Sequence, residues 1–266
     1  MSNKSETVIN NFSTYIDWIN RCYEDAISHR RPLFFRGHAD VCWELLPSVL
    51  RKPYHRERDI ILDYKQVLYP KSDYLDNIEE ILVRMQHHQV PTRLLDWSIS
   101  PLTALYFACS EDIDSDGKVY MVNPWKGIVK GGRESKPTYY FEILKSARFL
   151  LALDWSFEEI KDYIEYKYQY SISSRELELP LPIVGRYMDP RVSYQMGCFT
   201  IWGSHKTSLD MFPEYTASLK CITIPKDSKD GLISQLSKLG IADFTIFRDI
   251  EGFAKGIRKK GSIYRL

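Results

Sequence analysis

The chain has 266 residues, 44% of them apolar and 27% charged, which is enough apolar material for a sizeable core and excludes a disordered chain as the default. Lys and Arg total 36 against 35 Asp and Glu, a net charge of +1, a balance that gives no electrostatic case for binding duplex nucleic acid over a broad surface, although a local basic groove is compatible with it. The five cysteines, Cys22, Cys42, Cys109, Cys198 and Cys221, form no CxxC pair and match no zinc spacing, which predicts reduced thiols. The polar start "MSNKSETVIN" lacks the apolar stretch of a signal peptide, and no run reaches the ~18 apolar residues of a membrane span. The expectation is a cytoplasmic protein with no membrane partner.

In chain order, Val8, Phe12, Ile16, Ile19 and Tyr23 recur at helical spacing, predicting an amphipathic helix from Glu6 to about His29. "PLFFRGHAD" reads as a short buried strand stopping at Gly37. "ERDIILDYKQVLY" and "NIEEILVRMQHH" carry helical periodicity, and the second ends before Pro91. "TRLLDW" has strand length, and "SPLTALYFACS" begins a helix with Ser100 as N-cap and Pro101 in its first turn. "GKVYMVN" is a further strand. A helical insertion spans about 139–175, and "ELELPLPIVG" is extended because its prolines break a helix. "QMGCFTIW" and "LKCITIP" read as paired core strands, "SKDGLISQLSKLGI" as a helix capped by Ser228, and "IEGFAKGIRKK" as a weaker final one. Strands scattered among helices predict one mixed α+β domain over residues 1–266.

Three polar segments sit where apolar strands end: Arg36, the stretch from His87 to Trp97, and the stretch from Arg191 to Gln195. Arg36 follows Phe34 and Phe35, so it either reaches a solvated cleft or meets an acid such as Asp96. Gly37 lets the backbone turn or approach a ligand. His87 and His88 point about 100° apart on a helix and cannot share one metal ion, so no metal is expected. One of them suits a helix C-terminus, the other acid–base work. Asp96 or Ser98 caps the helix at Pro101 on one reading; on the other, the N-terminus of that helix receives an anion. GxxxxGK[ST], GxGxxG and GxSxG are all absent, which weighs against common kinases, Rossmann dehydrogenases and α/β-hydrolases.

"FFRGHAD…WELLPSVLR", "QHHQVPTRLLDWSISPLTALYFA" and "RVSYQMGCFTI" together resemble the bacterial FRG domain family, whose Phe-Arg-Gly stretch is here Phe35, Arg36 and Gly37. The resemblance is good over residues 32–123 and looser through 186–266. Gln89 stands where that family usually has Gly, and Ser98 where Thr is common. The order of features is also similar to the ADP-ribosyltransferase fold. That resemblance implies a split, mostly antiparallel sheet flanked by helices, with NAD as substrate, while the FRG resemblance implies bacterial defence or toxin biology as the setting. It puts Arg36 on a phosphate or ribose and Ser98 or Ser100 behind the nicotinamide ribose. Gln195 falls nearest the position of the Glu that stabilises the cation forming at the anomeric carbon. Gln195 carries no charge, so Glu176 or Glu178 would have to replace it, or the domain binds without transferring ADP-ribose.

The expectation is therefore a nucleotide cleft with Arg36, His88, Asp96 and Gln195 as catalytic groups. Arg36, Gly37, Arg93, Ser98, Ser100 and Arg191 would hold the ligand. A non-catalytic module for a nucleotide, a nucleic-acid end or a partner protein, and a metal-independent nuclease using His87 or His88, are the alternatives.

Overall fold

A computed structural model describes residues 8–24, 32–53, 56–68, 78–125, 140–183 and 195–247, together with 254 and 257. Among them six strands form one sheet of order β4-β5-β2-β1-β3-β6, every registered pair of neighbours antiparallel. The strands are β1 (Phe34–His38), β2 (Leu94–Ser98), β3 (Gly117–Val122), β4 (Leu181–Ile183), β5 (Gly197–Ile201) and β6 (Lys220–Ile224). "QMGCFTIW" and "LKCITIP" do not pair with each other. β5 lies between β2 and β4, whereas β6 lies beside β3 in the other half of the sheet. Both runs are apolar enough for any central position, and periodicity carries no partner choice.

The middle of the sheet is its weakest seam. β1 and β2 share only the pair Phe35↔Ser98, whereas β1 is registered with β3 along its whole length and β2 with β5 along its own. β1 and β2 part beyond that pair. The sheet therefore behaves as two three-stranded halves joined at one point, with a gap on one side of the join.

Helices cover the halves separately. α1 (Phe12–Glu24), α4 (Pro101–Cys109) and α9 (Lys226–Lys238) cover β1, β3 and β6, burying Trp18, Leu105, Leu232 and Leu236 with Phe35, Val119 and Ile222. Each such leucine contributes about 1.5–3 kcal/mol on leaving water. The other half is covered by α2 (Glu57–Leu68), α3 (Ile78–His87), α5 (Tyr140–Ala152), α6 (Phe157–Tyr168) and α7 (Ser174–Glu178), whose Ile61, Leu82, Ile143 and Ile160 meet Leu94, Leu181 and Ile201. A third cluster, built on Phe34, Leu95, Trp97 and Trp202, lies behind the seam with the short α8 (Pro213–Thr216). The last described helix is α10 (Asp243–Ile246).

Local chemistry explains several helix starts. Ser156 and Ser173 open α6 and α7 with reciprocal capping boxes to Glu159 and Glu176. Ser100 Oγ accepts from Thr103 N at 3.2 Å, with Pro101 in the first turn of α4. Ser228 does not cap α9: that helix starts at Lys226 after Pro225, whose fixed φ sets up the first turn without a side-chain cap. Of "ELELPLPIVG", Glu176–Glu178 belong to α7 and Leu181–Ile183 form β4, and its last two residues lie outside the described ones. The predicted final helix falls almost wholly outside the described residues.

Gly37 does not stop β1, which runs on to His38. A Cβ at Gly37 would stand 1.9 Å from the Ala104 carbonyl oxygen and 2.6 Å from the Ala108 nitrogen, and one at Gly117 would stand 2.4 Å from the Ala108 carbonyl oxygen. Both glycines let the backbone of α4 lie directly on the sheet, which brings the start of that helix to the seam.

Candidate functional site

The gap between β1 and β2 opens into a cleft of about 570 Å³. Its floor is Arg36 and Gly37 of β1 and Leu94 to Ser98 of β2; its walls are α3 with the turn after it (Gln86, His87, Gln89), the turn bearing Ser48 and Arg51, and Phe107 of α4. Trp43, Phe199 and Phe247 add aromatic surface, and Glu111 and Gln195 add polar groups.

Arg36 spans the seam. Its Nη1 donates to the Asp96 carbonyl oxygen at 2.6 Å, capturing a strand acceptor left over where β1 and β2 part. Its Nε donates to Nε2 of His38 at 2.9 Å, and Nδ1 of that imidazole lies 3.2 Å from the Trp43 carbonyl oxygen. The ring accepts on one side, so its proton sits on Nδ1 and points at Trp43. Burial, reinforced by the Arg36 charge, pushes the His38 pKa down to about 2, so the ring is neutral at physiological pH. Burial likewise lowers the Arg36 pKa to about 10, the Asp96 carboxylate opposing and Arg51 adding to the shift, and the guanidinium stays charged. Nη2 of Arg36 makes no protein hydrogen bond among the described residues.

Asp96 is not a cap. It lies in the middle of β2, about half exposed, with Oδ2 at 3.9 Å from Nη1 of Arg36 and 2.6 Å from Nε2 of Gln86. The same Gln86 takes a hydrogen bond from Thr92 Oγ1 at 2.5 Å, so α3, the residues before β2 and Asp96 form one polar chain along the cleft.

Ser98 Oγ donates to the Gln195 carbonyl oxygen at 2.6 Å and accepts from Ser100 N at 2.9 Å. Ser98 lines the cleft; Ser100 does not, because its hydroxyl is the cap of α4. These two serines build the corner that presents Gln195, whose side chain donates to the Ile246 carbonyl oxygen at 3.4 Å.

Several expected residues stand elsewhere. His88 is exposed in the turn after α3 and outside the lining; His87, the last residue of that helix, lines the cleft instead. The chain leaves the helix at His88, and that residue turns to solvent while His87 keeps the inward face. Arg93 does not reach the cleft. It is buried against Glu57, with Nε at 2.7 Å and Nη2 at 2.6 Å from Oε2, and its backbone N–H meets Oε1 at 2.9 Å. Glu176 and Glu178 are absent from the lining too. Glu176 accepts from Tyr140 and from Tyr170 Oη (2.9 Å) and closes the cap of α7, and these bonds hold its carboxyl at about 2 although burial alone would raise it. Arg191 falls outside the described residues.

Sequence reasoning did not single out Arg51, Gln86, Glu111 or His38. Gln86 and His38 adjoin motif residues, and Arg51 ends the quoted "WELLPSVLR", so their neighbourhood was the available signal. Glu111 had none. Among the described residues no group of three or more His, Cys, Asp or Glu could hold a metal ion, and no helix is long and apolar enough to cross a membrane.

The FRG domain family matches residues 31–117, which include β1, α2, α3, β2 and α4, and so the floor and most walls of the cleft. The chain thus carries an FRG domain. Searches of curated proteins and of solved structures find no match to it.

Proposed function

We propose that this FRG-domain protein binds a nucleotide in the cleft at the β1–β2 seam, with NAD the leading ligand. What supports this is the state of Arg36. Two nitrogens of its guanidinium, Nε and Nη1, are held by His38 and the Asp96 carbonyl oxygen, while Nη2 is left without a protein partner among the described residues beside the cleft. A pre-oriented cation of this kind suits phosphate oxygens, and the aromatic surface of Trp43, Phe107 and Phe247 suits a base or nicotinamide ring. The cleft is of a size usual for small-molecule sites.

The chemistry in this reading is cleavage of the bond between nicotinamide and ribose, followed by capture of the ADP-ribosyl group by water or by a nucleophile on a protein or nucleic acid. The chain's task is to place the diphosphate and to stabilise positive charge at the anomeric carbon. Gln195 offers its amide but no charge, so the carboxylates available for that task are Asp96 and Glu111, both on the lining. A sensor that binds without turnover is the second reading, favoured by the amide at Gln195.

Calorimetry with NAD and ADP-ribose tests binding, and nicotinamide release tests turnover. Arg36→Lys keeps the charge but loses the planar fork, and should weaken binding by roughly 1.5–3 kcal/mol. Binding without release identifies a sensor. Absence of binding of either compound to the intact protein would refute the nucleotide reading.

A further inference from the structure

Arg36 is not the cleft's only cation. Arg51 follows the short 3-10 turn Ser48–Leu50, which is tied to the residue before Arg93 by Val49 N to Thr92 O (3.3 Å) and Thr92 N to Ser48 Oγ (3.3 Å). Its own backbone N–H closes that turn on Ser48 O at 3.2 Å, and its Nε is fixed on the Leu46 carbonyl oxygen at 2.9 Å. The stem is therefore held from two sides. The terminal nitrogens Nη1 and Nη2 make no hydrogen bond or ion pair among the described residues, although the side chain lines the cleft.

Two guanidiniums thus face one cavity, anchored on different elements, each held through Nε and each with terminal donors to spare. A structural arginine is ordinarily consumed by its partners, as Arg93 is by Glu57. Here the carboxylates nearby do not do this. Asp96 stays 3.9 Å from Arg36 and is engaged by Gln86, and Glu44 and Asp96 act on Arg51 only through their fields. Glu111, the remaining carboxylate of the lining, directly follows the Ser110 cap of α4. Bringing two like charges to one cavity costs free energy that an anion between them would return.

We propose that Arg51 is the second half of an anion clamp with Arg36, and that the clamp selects a diphosphate over a monophosphate. Each guanidinium addresses one phosphoryl group: Arg36 of β1 through Nη2, Arg51 of the turn after Leu50 through Nη1 and Nη2. This rests on the nucleotide reading of the cleft and narrows it to ligands built on a diphosphate bridge, of which dinucleotides and nucleoside diphosphates are the common chemical forms.

The experiment titrates the intact protein and its Arg51→Gln variant with ADP, AMP, adenosine and inorganic pyrophosphate. Arg51 is exposed, so the variant should fold, and circular dichroism checks that it does. The expected result is ADP tighter than AMP by on the order of tenfold, the worth of one charge-assisted contact, with that gap closing in Arg51→Gln. Equal affinity for ADP and AMP, or an equal loss for both in the variant, would overturn the clamp and leave the nucleotide reading in place. Pyrophosphate binding that depends on Arg51, with no binding of ADP or AMP, would keep the clamp and overturn the nucleotide reading. Adenosine binding as tightly as ADP would show a nucleoside site and overturn the clamp. No binding of any of the four would overturn both.

Discussion

Nε of Arg36 donates to Nε2 of His38 at 2.9 Å, so the residue that faces the cleft is oriented by a buried imidazole two positions further along the same strand. A protonated ring could not accept that bond. Folding therefore holds the proton off, with a folded pKa of about 2 against about 6.5 for an unfolded histidine. Between those values the unfolded chain binds more protons, so stability rises with pH. The contribution is full above about pH 6.5 and is lost as pH falls towards the folded value. Over that window this single group should remove up to about 1.4 kcal/mol per pH unit. Melting temperatures from pH 4 to 8 should show the loss beginning near pH 6. His38→Gln, whose amide oxygen can still accept from Arg36, should flatten it. An unchanged slope in the variant would assign the acid lability to other groups.

Arg93 and Glu57 are both more than nine-tenths buried and joined by three contacts of 2.6 to 2.9 Å, away from the cleft. Glu57→Gln strands a buried guanidinium and should cost about 3–5 kcal/mol in chemical denaturation, whereas replacing both residues by apolar ones of similar volume should recover much of it. Ligand affinity of the folded variant should stay within about twofold of wild type. A selective loss of binding with stability intact would return Arg93 to the site.

Gln89 has φ of 59°, the left-handed region, and follows α3 in a Schellman arrangement: Val90 N donates to Met85 O at 2.9 Å and Gln89 N to Gln86 O at 3.1 Å. The family's usual glycine at this position thus has a physical reason in this chain. Gln89→Gly should raise stability by about 0.5–1 kcal/mol, since the strain removed outweighs the freedom the unfolded chain gains. A lower melting temperature would mean that the glutamine side chain, on the cleft wall, makes up for its backbone.

What was legible in the sequence follows the range of the forces involved. Ser100 with Pro101 and the run "GKVYMVN" are local signals, and their elements lie where the signals stand. The first helix, predicted from Glu6, starts only at Phe12, and Val8 of its stripe pairs with Thr223 in a parallel bridge instead. Pairing is not local. Nothing in "QMGCFTIW" distinguishes β2 as its neighbour from β6, and that choice is made by which hydrophobic faces the helices cover. The same limit governs the site. Arg36 and Asp96 could be suspected of meeting, because each breaks an apolar run, but the meeting is through the backbone oxygen of Asp96, a group no sequence marks. Arg93 breaks its run in the same way and turned inward, because Glu57, 36 residues earlier, stands where it can receive it. Charge at the end of a strand announces that a partner exists; only the fold decides whether the partner is protein or ligand.

Asp96 offers the sharpest separation of scaffold from chemistry. Its carboxylate is half exposed, 3.9 Å from Nη1 of Arg36, and held by Gln86 at 2.6 Å. An exposed pair at that distance contributes about 0–1 kcal/mol, and an asparagine can still accept from Gln86, so Asp96→Asn should move the melting temperature by no more than about 3 °C. Its effects on the ligand should be opposite in sign at two steps. Removing a negative charge beside Arg36 and Arg51 leaves the cations to the phosphates, so NAD or ADP-ribose should bind several-fold more tightly. If Asp96 is the group that steadies positive charge on the ribose, nicotinamide release should fall by on the order of 10²–10³ in the same variant. Calorimetry and single-turnover release on one preparation read both. Tighter binding with release intact would pass the charge-stabilising role to Glu111, to be tested by Glu111→Gln. Weaker binding would make Asp96 a direct contact to a ligand hydroxyl, and a melting temperature lower by ten degrees would mean that the carboxylate belongs to the scaffold after all.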